Sequence, residues 1–359
     1  MARHYIGADV DSQYVDLAVE RNQKIIQRFR VPTAIPALLS VLDQIPGPKE
    51  LAFEEGPMAH WLYRNLKGAV DRLVVCDPRR NALIAKDGDK DDVIDAGKLA
   101  GLLRGGFLRE VYHSDDEQQI LLKQWIGLYH DRVRDAVRQV NKLRGRCRMY
   151  GLRPPGGVLR QPARRQAWLE QLGDSNWEPQ LRLLWLGYDA AAQQVRLARQ
   201  QVRRLSRPYG VIARWGELPG VGLIRAATLY AYLDTPWRFG GNPHKLWKYC
   251  GVGLERFGSG KDGQGRPKVG RLQLAWAVNR RLKDAVMGAA QSALNQRRNV
   301  FAQQYERLVD HGVSPGNARH TVARKLLSVM WGMWKTGQRF DETWVGPAAG
   351  REPGTSAPR

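Results

Sequence analysis

The first hundred residues alternate short β-favouring runs with stretches of helical periodicity. Residues 5–10, 15–20 and 25–31 are short and mostly apolar, and they predict three consecutive strands. Residues 32–42 predict a helix, 50–54 a strand, 59–66 a helix, 72–76 a strand and 93–103 another helix. Three neighbouring strands followed by strand and helix in alternation predict a mixed sheet covered by helices, an α/β domain over residues 1–112.

After Asp115 the period changes. Leu122, Ile126, Tyr129, Val133, Ala136, Val140, Leu143 and Cys147 recur at alternating spacings of four and three, which is a heptad seam. Leu181, Leu184, Tyr188, Ala191, Val195, Ala198, Val202 and Leu205 repeat it after an interruption at Pro154, Pro155, Gly156 and Gly157. Two long helices are expected over residues 113–209, paired as a hairpin within the chain or as a coiled coil between copies. Residues 210–345 read as a mainly helical domain. It has a turn at Leu218-Pro219-Gly220-Val221-Gly222, a helix from Leu223, a Gly-rich stretch over 258–270, and helical patterns over 272–294 and 318–334. The tail 346–359, rich in Gly, Pro, Ala and Ser, is expected to be disordered.

Charge narrows the function classes. Fifty-seven Lys and Arg against 35 Asp and Glu give a net charge of +22, which points to nucleic acid and away from a small metabolite as sole partner. Between residues 123 and 210, 18 Lys and Arg stand against 6 Asp and Glu. Arg132, Arg134, Arg138, Lys142, Arg144, Arg146 and Arg148 lie along the first helix, and Arg196, Arg199, Arg203, Arg204 and Arg207 along the second. Charge of one sign on both helices repels itself unless phosphates neutralise it. Cys76, Cys147 and Cys250 are too far apart in sequence for a disulfide framework or a zinc pattern, and fit the reducing cytoplasm. No run of 18 apolar residues occurs and MARHYIGADV has no signal-peptide form, so membrane insertion and secretion are not expected.

Four acids stand out in so basic a chain. Asp9 and Glu54 end strands, while Asp92 and Asp95, three apart, share a face at a helix start. Carboxylates converging with an open side are the usual way to hold Mg2+ against a phosphodiester. Taken singly, each has an ordinary alternative as a helix-start acid or a turn cap. Gly220 and Gly222 would let backbone N–H groups approach a phosphate, as in a helix-hairpin-helix turn, or simply make a turn. Ser259 lies between glycines, followed by Lys261, Arg266, Lys268 and Arg271. Such a serine suits a nucleophile whose transition state the cations stabilise, or a flexible linker. The scattered histidines read as structural or surface residues, Trp125 and Trp185 as packing residues, and Trp237 and Trp247 as candidate nucleic-acid contacts.

Ile6-Gly7-Ala8-Asp9-Val10, Glu54-Glu55-Gly56-Pro57 and Lys90-Asp91-Asp92-Val93-Ile94-Asp95-Ala96 resemble the N-terminal motifs of the insertion-sequence 110 family of transposases. The resemblance implies an RNase H-like (RuvC-like) domain whose DEDD set is Asp9, Glu54, Asp92 and Asp95, in order. Glu55 stands where a small residue is more usual, and the spacing to Gly56-Pro57 favours Glu54. Leu218-Pro219-Gly220-Val221-Gly222, Tyr249-Cys250-Gly251-Val252, Ser259-Gly260, the helix through Asn279 to Lys283, Ala323-Arg324-Lys325-Leu326-Leu327 and Met330-Trp331-Gly332-Met333-Trp334-Lys335 are similar to the family's C-terminal domain. The likeness spans about residues 4–340. It implies Ser259 as nucleophile, Mg2+ on the four acids and a covalent serine–DNA bond. It also implies a structured noncoding bridge RNA, donor and target duplexes, and a homo-oligomer, dimer or tetramer. Two rivals are a junction-resolvase-type metal nuclease that uses water, and a non-catalytic RNA-binding scaffold.

Overall fold

The computed structural model describes residues 3–78, 92–173, 176–257, 271–275 and 278–345, and the chain divides into two units, Met1–Asp115 and Asp116–Arg359. The first unit holds β1 (His4–Val10), β2 (Tyr14–Arg21), β3 (Lys24–Pro32), β4 (Lys49–Glu54) and β5 (Arg72–Cys76). They form one sheet in the order β3-β2-β1-β4-β5, in which β1, β2 and β3 are antiparallel neighbours and β4 runs parallel to β1 and β5. Local chemistry makes the two hairpins. Asp11 Oδ1 accepts the Gln13 N–H at 3.0 Å, and such bonds hold its carboxyl below the usual carboxylate range. Asn22 and Gln23 both take positive φ, 50° and 65°, as a two-residue turn matched to strand twist requires.

Alternation along the strands sorts the side chains onto two faces. Ile6, Ala8, Val15, Leu17, Leu51 and Phe53 pack with Leu38 and Leu42 of α1 (Ile35–Gln44) and Leu62 and Leu66 of α2 (Ala59–Leu66). On the other face Ala52, Val74 and Cys76 meet Leu99 and Leu103 of α3 (Asp92–Arg104). At Gly7 the helix backbone comes so close that a Cβ would stand 2.1 Å from the Ala96 carbonyl oxygen. Gly7→Ala should therefore push α3 off the sheet and cost about 3 kcal/mol. Gly56→Ala, with nothing within 4 Å of the added methyl, should stay within about 0.5 kcal/mol of the parent. The urea midpoints of the two variants check this.

In the second unit α4 (Glu117–Met149) and α6 (Glu178–Ser206) pack antiparallel, with Arg132 Nη1 donating to Gln194 Oε1 at 3.2 Å. Near the far end Gln139 comes within 3.3 Å of where a Cβ on Gly187 would stand. All the heptad positions are buried or half-buried, so the seam closes within the chain. Asp116 starts α4 by accepting the N–H groups of Gln118 and Gln119. Between the long helices lies α5 (Pro162–Leu172), which the heptad pattern does not predict. Its Trp168 and Leu169 bury against Leu143, Cys147, Leu181 and Trp185. Arg165 sits 5.2 Å over the Trp185 ring and donates to both Asp189 carboxylate oxygens, at 2.6 and 2.8 Å.

The remainder comprises α7 (Gly210–Gly216), α8 (Gly222–Leu233), α9 (Pro243–Tyr249), the hairpin β6 (Leu254–Phe257) and β7 (Arg271–Leu274), α10 (Arg280–Asn295), α11 (Val300–Asp310) and α12 (Pro315–Thr336). Most of α8 is enclosed, by residues of α10 and α12 among others. Two buried indoles here find carbonyl acceptors: Trp215 donates to Met330 at 2.7 Å and Trp331 to Pro236 at 2.8 Å. Two expectations are corrected here. The helical pattern over 272–294 begins as β7, and α10 starts only after Asn279, whose side chain accepts from the Arg281 and Leu282 N–H groups. Trp247 is half-buried against the core and donates to Ser328 Oγ at 2.9 Å, which makes it a packing residue, whereas Trp237 is 67% exposed. Cys76, Cys147 and Cys250 are buried thiols that form no disulfide. The tail 346–359 lies outside the described residues.

Candidate functional site

Asp9 is the sixth residue of β1 and Glu54 the last of β4. The parallel register sets Ala8 beside Phe53, so Asp9 and Glu54 come next to one another where these strands end. Ala8 and Phe53 face α1 and α2, so alternation turns Asp9 and Glu54 to the α3 face. The direction of α3 follows from its far end. Arg104 pairs with Glu20, and Glu20 lies opposite Tyr5 near the start of β1. The helix thus runs back along β1, with Ala96 over Gly7 and its first turn toward Asp9. Asp95 is on that turn, half-buried, with Lys98 Nζ 3.9 Å from its carboxylate. Asp92 is the first residue of α3, and its side chain lies outside the described set.

Glu55 is distinguished from Glu54 by its partner. Its Oε2 is 2.8 Å from His113 Nε2, and the His113 ring stacks on Tyr63 with centroids 5.1 Å apart. This ties Glu55 to the segment after α3 and leaves the α3 face of β4 to Glu54. Sequence reasoning missed Asp16. The β1–β2 register puts it directly opposite Asp9, buried, with Arg30 Nη1 at 3.8 Å. The signal was available in the hairpin, since alternation from Val15 and Leu17 places Asp16 on the Asp9 face.

Among the described residues no group of three or more His, Cys, Asp or Glu side chains is placed to hold a metal ion by itself. Adjacent carboxylates on β1 and β4, facing an acidic first turn of α3, are nonetheless a hard-oxygen donor set, whose chemistry fits a divalent cation.

The second unit carries the other candidates. Ser259, Lys261, Arg266 and Lys268 lie outside the described residues, as does the side chain of Arg271, the first residue of β7. The terminal β6–β7 pair is Phe257 with Arg271, so Ser259 follows the end of β6 by two residues. At the foot of this hairpin is a cavity of about 590 Å³, lined by Gln273, Leu274, Val278, Arg280, Lys283 and Asp284, among others. Gly220 and Gly222 form the α7–α8 turn with φ of 79° and 62°. A Cβ on Gly220 would be 2.3 Å from the Ala289 carbonyl of α10, so this glycine is demanded by packing. Gly222 has open space around it.

The basic positions of the hairpin fall into two kinds. Arg132 and Arg138 both pair with Asp135 one turn away. Lys142, Arg146, Arg199 and Arg203 have no carboxylate partner among the described residues, and all but the half-buried Arg146 are exposed. Nearer the C-terminus His320 is half-buried; burial first and then Lys283 and Arg324 push its pKa down, so it favours the neutral ring.

Residues 6–149 match a family model of the DEDD IS110 type described as Transposase, and residues 214–306 match one described as Transposase IS116/IS110/IS902 family. The two matches together take in more than half of the chain. No curated protein matches it. No helix among the described residues is long and apolar enough to cross a membrane.

Proposed function

Because this chain belongs to the IS110 family of transposases and is a DNA-recombining enzyme, we propose that it cuts and rejoins donor and target duplexes through Ser259 and a divalent metal site. The DEDD domain implies a divalent metal, and Mg2+ is the ion assigned to Asp9, Glu54, Asp92 and Asp95. The observation that carries this reading is the adjacency of Asp9 and Glu54 at the ends of parallel strands, with the first turn of α3 directed toward them. The sheet order β3-β2-β1-β4-β5, three antiparallel strands joined to two parallel ones, supports an RNase H-like fold of the RuvC kind.

In this scheme the Ser259 Oγ attacks phosphorus and gives up its proton. The P–O bond to one deoxyribose breaks, and that oxygen takes up a proton and leaves as a hydroxyl. Attack on the phosphoserine ester by the hydroxyl of another strand reverses the exchange, so rejoining needs no ATP. Arg280 and Lys283, which line the cavity at the foot of the β6–β7 hairpin, would bind the phosphate before attack, and a metal on the acids would supply charge neutralisation at the phosphodiester. The acids and Ser259 lie in different domains, so folding or a partner subunit must bring them together. Several strand cuts call for a homo-oligomer, a dimer or tetramer. The α4–α6 pair, a coiled-coil hairpin in this reading, would carry a structured bridge RNA on its basic faces, in the bacterial cytoplasm.

The test is strand exchange between duplexes bearing the element ends and the target, with purified chain, the transcript of the flanking DNA and Mg2+. Joined product is expected, and omitting the RNA or chelating the metal should remove it. Joining without RNA would sink the guided reading.

The hairpin charges give a separate prediction. Replacing Lys142 and Arg146 by alanine should lower the slope of log affinity against log salt by about 1 per residue. Arg138→Ala should change it less, because Asp135 already offsets that charge. Filter binding of RNA across a salt series reads both.

A further inference from the structure

In the second unit a cavity of about 460 Å³ lies between α10, α11 and the start of α12. Gln291, Asn295, Arg297, Tyr305 and Arg319 supply its polar wall, and its volume is in the range of small-ligand sites. Arg297 and Arg319 have no carboxylate partner among the described residues, so two guanidinium charges stand at one cavity without compensation. Arg297 is moreover held in the left-handed region at φ 55°, in the turn that joins α10 to α11. Glycine or asparagine is the usual residue there, and strained backbone of this kind clusters at ligand sites.

The amides are ordered by a relay. Arg319 Nη1 donates to Gln291 Oε1 at 3.0 Å, and Gln291 Nε2 donates to Asn295 Oδ1 at 2.9 Å. This fixes which end of each amide points where. It leaves Asn295 with its NH2 donors and a second carbonyl lone pair, the donor and acceptor combination that reads a base edge. Tyr305, half-buried against the core, adds a rigid aromatic wall.

We infer that this cavity takes one unstacked nucleotide of a single strand, its phosphate on Arg297 and Arg319, its base edge on Asn295 and its base face on Tyr305. A duplex does not offer that nucleotide, because its base faces are stacked and its pairing edges occupied. The site would hold a strand already opened by pairing or unwinding, and so rests on the recombinase reading for the source of that strand.

The probe is a short single-stranded oligonucleotide carrying one photoactivatable thiopyrimidine, as DNA in one arm and RNA in the other, with the full chain in chelator to stop chemistry. The adduct is expected to map to the peptide containing Tyr305, to vanish when the same nucleotide is placed in a duplex, and to be lost in Tyr305→Ala. Arg297→Ala with Arg319→Ala should weaken oligonucleotide binding about tenfold, with the urea midpoint kept within the parent's range. The arm that gives the stronger adduct identifies DNA or RNA as the source. Adducts confined to other segments, equal labelling by duplex, or full displacement by inorganic phosphate would overturn the proposal. Strand exchange is scored separately. Lost labelling with exchange intact removes only this pocket, and labelling without exchange removes only the recombinase.

Discussion

Ser259→Ala is expected to lower strand exchange by about 10³-fold or more, while duplex and RNA binding stay within about twofold. In the proposed reaction alanine removes the one oxygen that would become bonded to phosphorus and leaves the cations that follow in sequence, Lys261, Arg266, Lys268 and Arg271, in the chain. In that reaction phosphate affinity would reside in those charges, so binding should persist when chemistry stops. A metal nuclease that activates water has no use for this hydroxyl and would cleave at the parental rate. The same substitution thus separates the two enzymes, and a non-catalytic scaffold would show no cleavage by the parent either.

Asp9→Asn should lower strand cleavage by about 10²- to 10³-fold, with partial recovery at raised Mg2+. The substitution keeps the size of the side chain and removes the charge that stands beside Glu54 on the α3 face. Its effect on stability has the opposite sign from that of a structural residue. Asp9 stands opposite Asp16 across the β1–β2 pair and beside Glu54, so neutralising it relieves repulsion between like charges. The urea midpoint of Asp9→Asn should equal or exceed that of the parent while activity falls. Glu55→Gln gives the contrast. Its carboxylate is engaged by His113, so Mg2+ dependence should remain parental there and change in Glu54→Gln. A lowered midpoint in Asp9→Asn, or equal loss from Glu54→Gln and Glu55→Gln, would contradict the assignment.

The elements of the first unit were readable because each is short, apolar and bounded by turn chemistry; α3 was expected at 93–103 and runs Asp92–Arg104. Their order in space was not, because nothing in a strand's composition says which neighbour it pairs with. The adjacency of Asp9 and Glu54 depends on a parallel register between segments some 45 residues apart, and Asp16 enters only once the hairpin fixes its facing partner. The heptads announced two paired helices without saying whether one chain or two supplied them, since seam chemistry is the same in both cases. The α5 cap escaped notice because its burial against Trp185 and Leu143 is a tertiary effect on a short segment. Residues 272–279 misled for a related reason. Apolar residues on a strand that leads into a capped helix mimic the helix's own period, and only the Asn279 cap marks the boundary.

Recovery of a covalent protein–DNA species is the most direct test of the account. Purified chain would be mixed with its RNA, Mg2+ and a duplex carrying the element end, quenched in denaturant and digested for peptide mapping. A nucleotide esterified to the peptide that contains Ser259 is expected, formed only with metal present and strongly reduced in Asp9→Asn. Cut strands with free ends and no adduct on any peptide would show that water is the attacking group, and would contradict it.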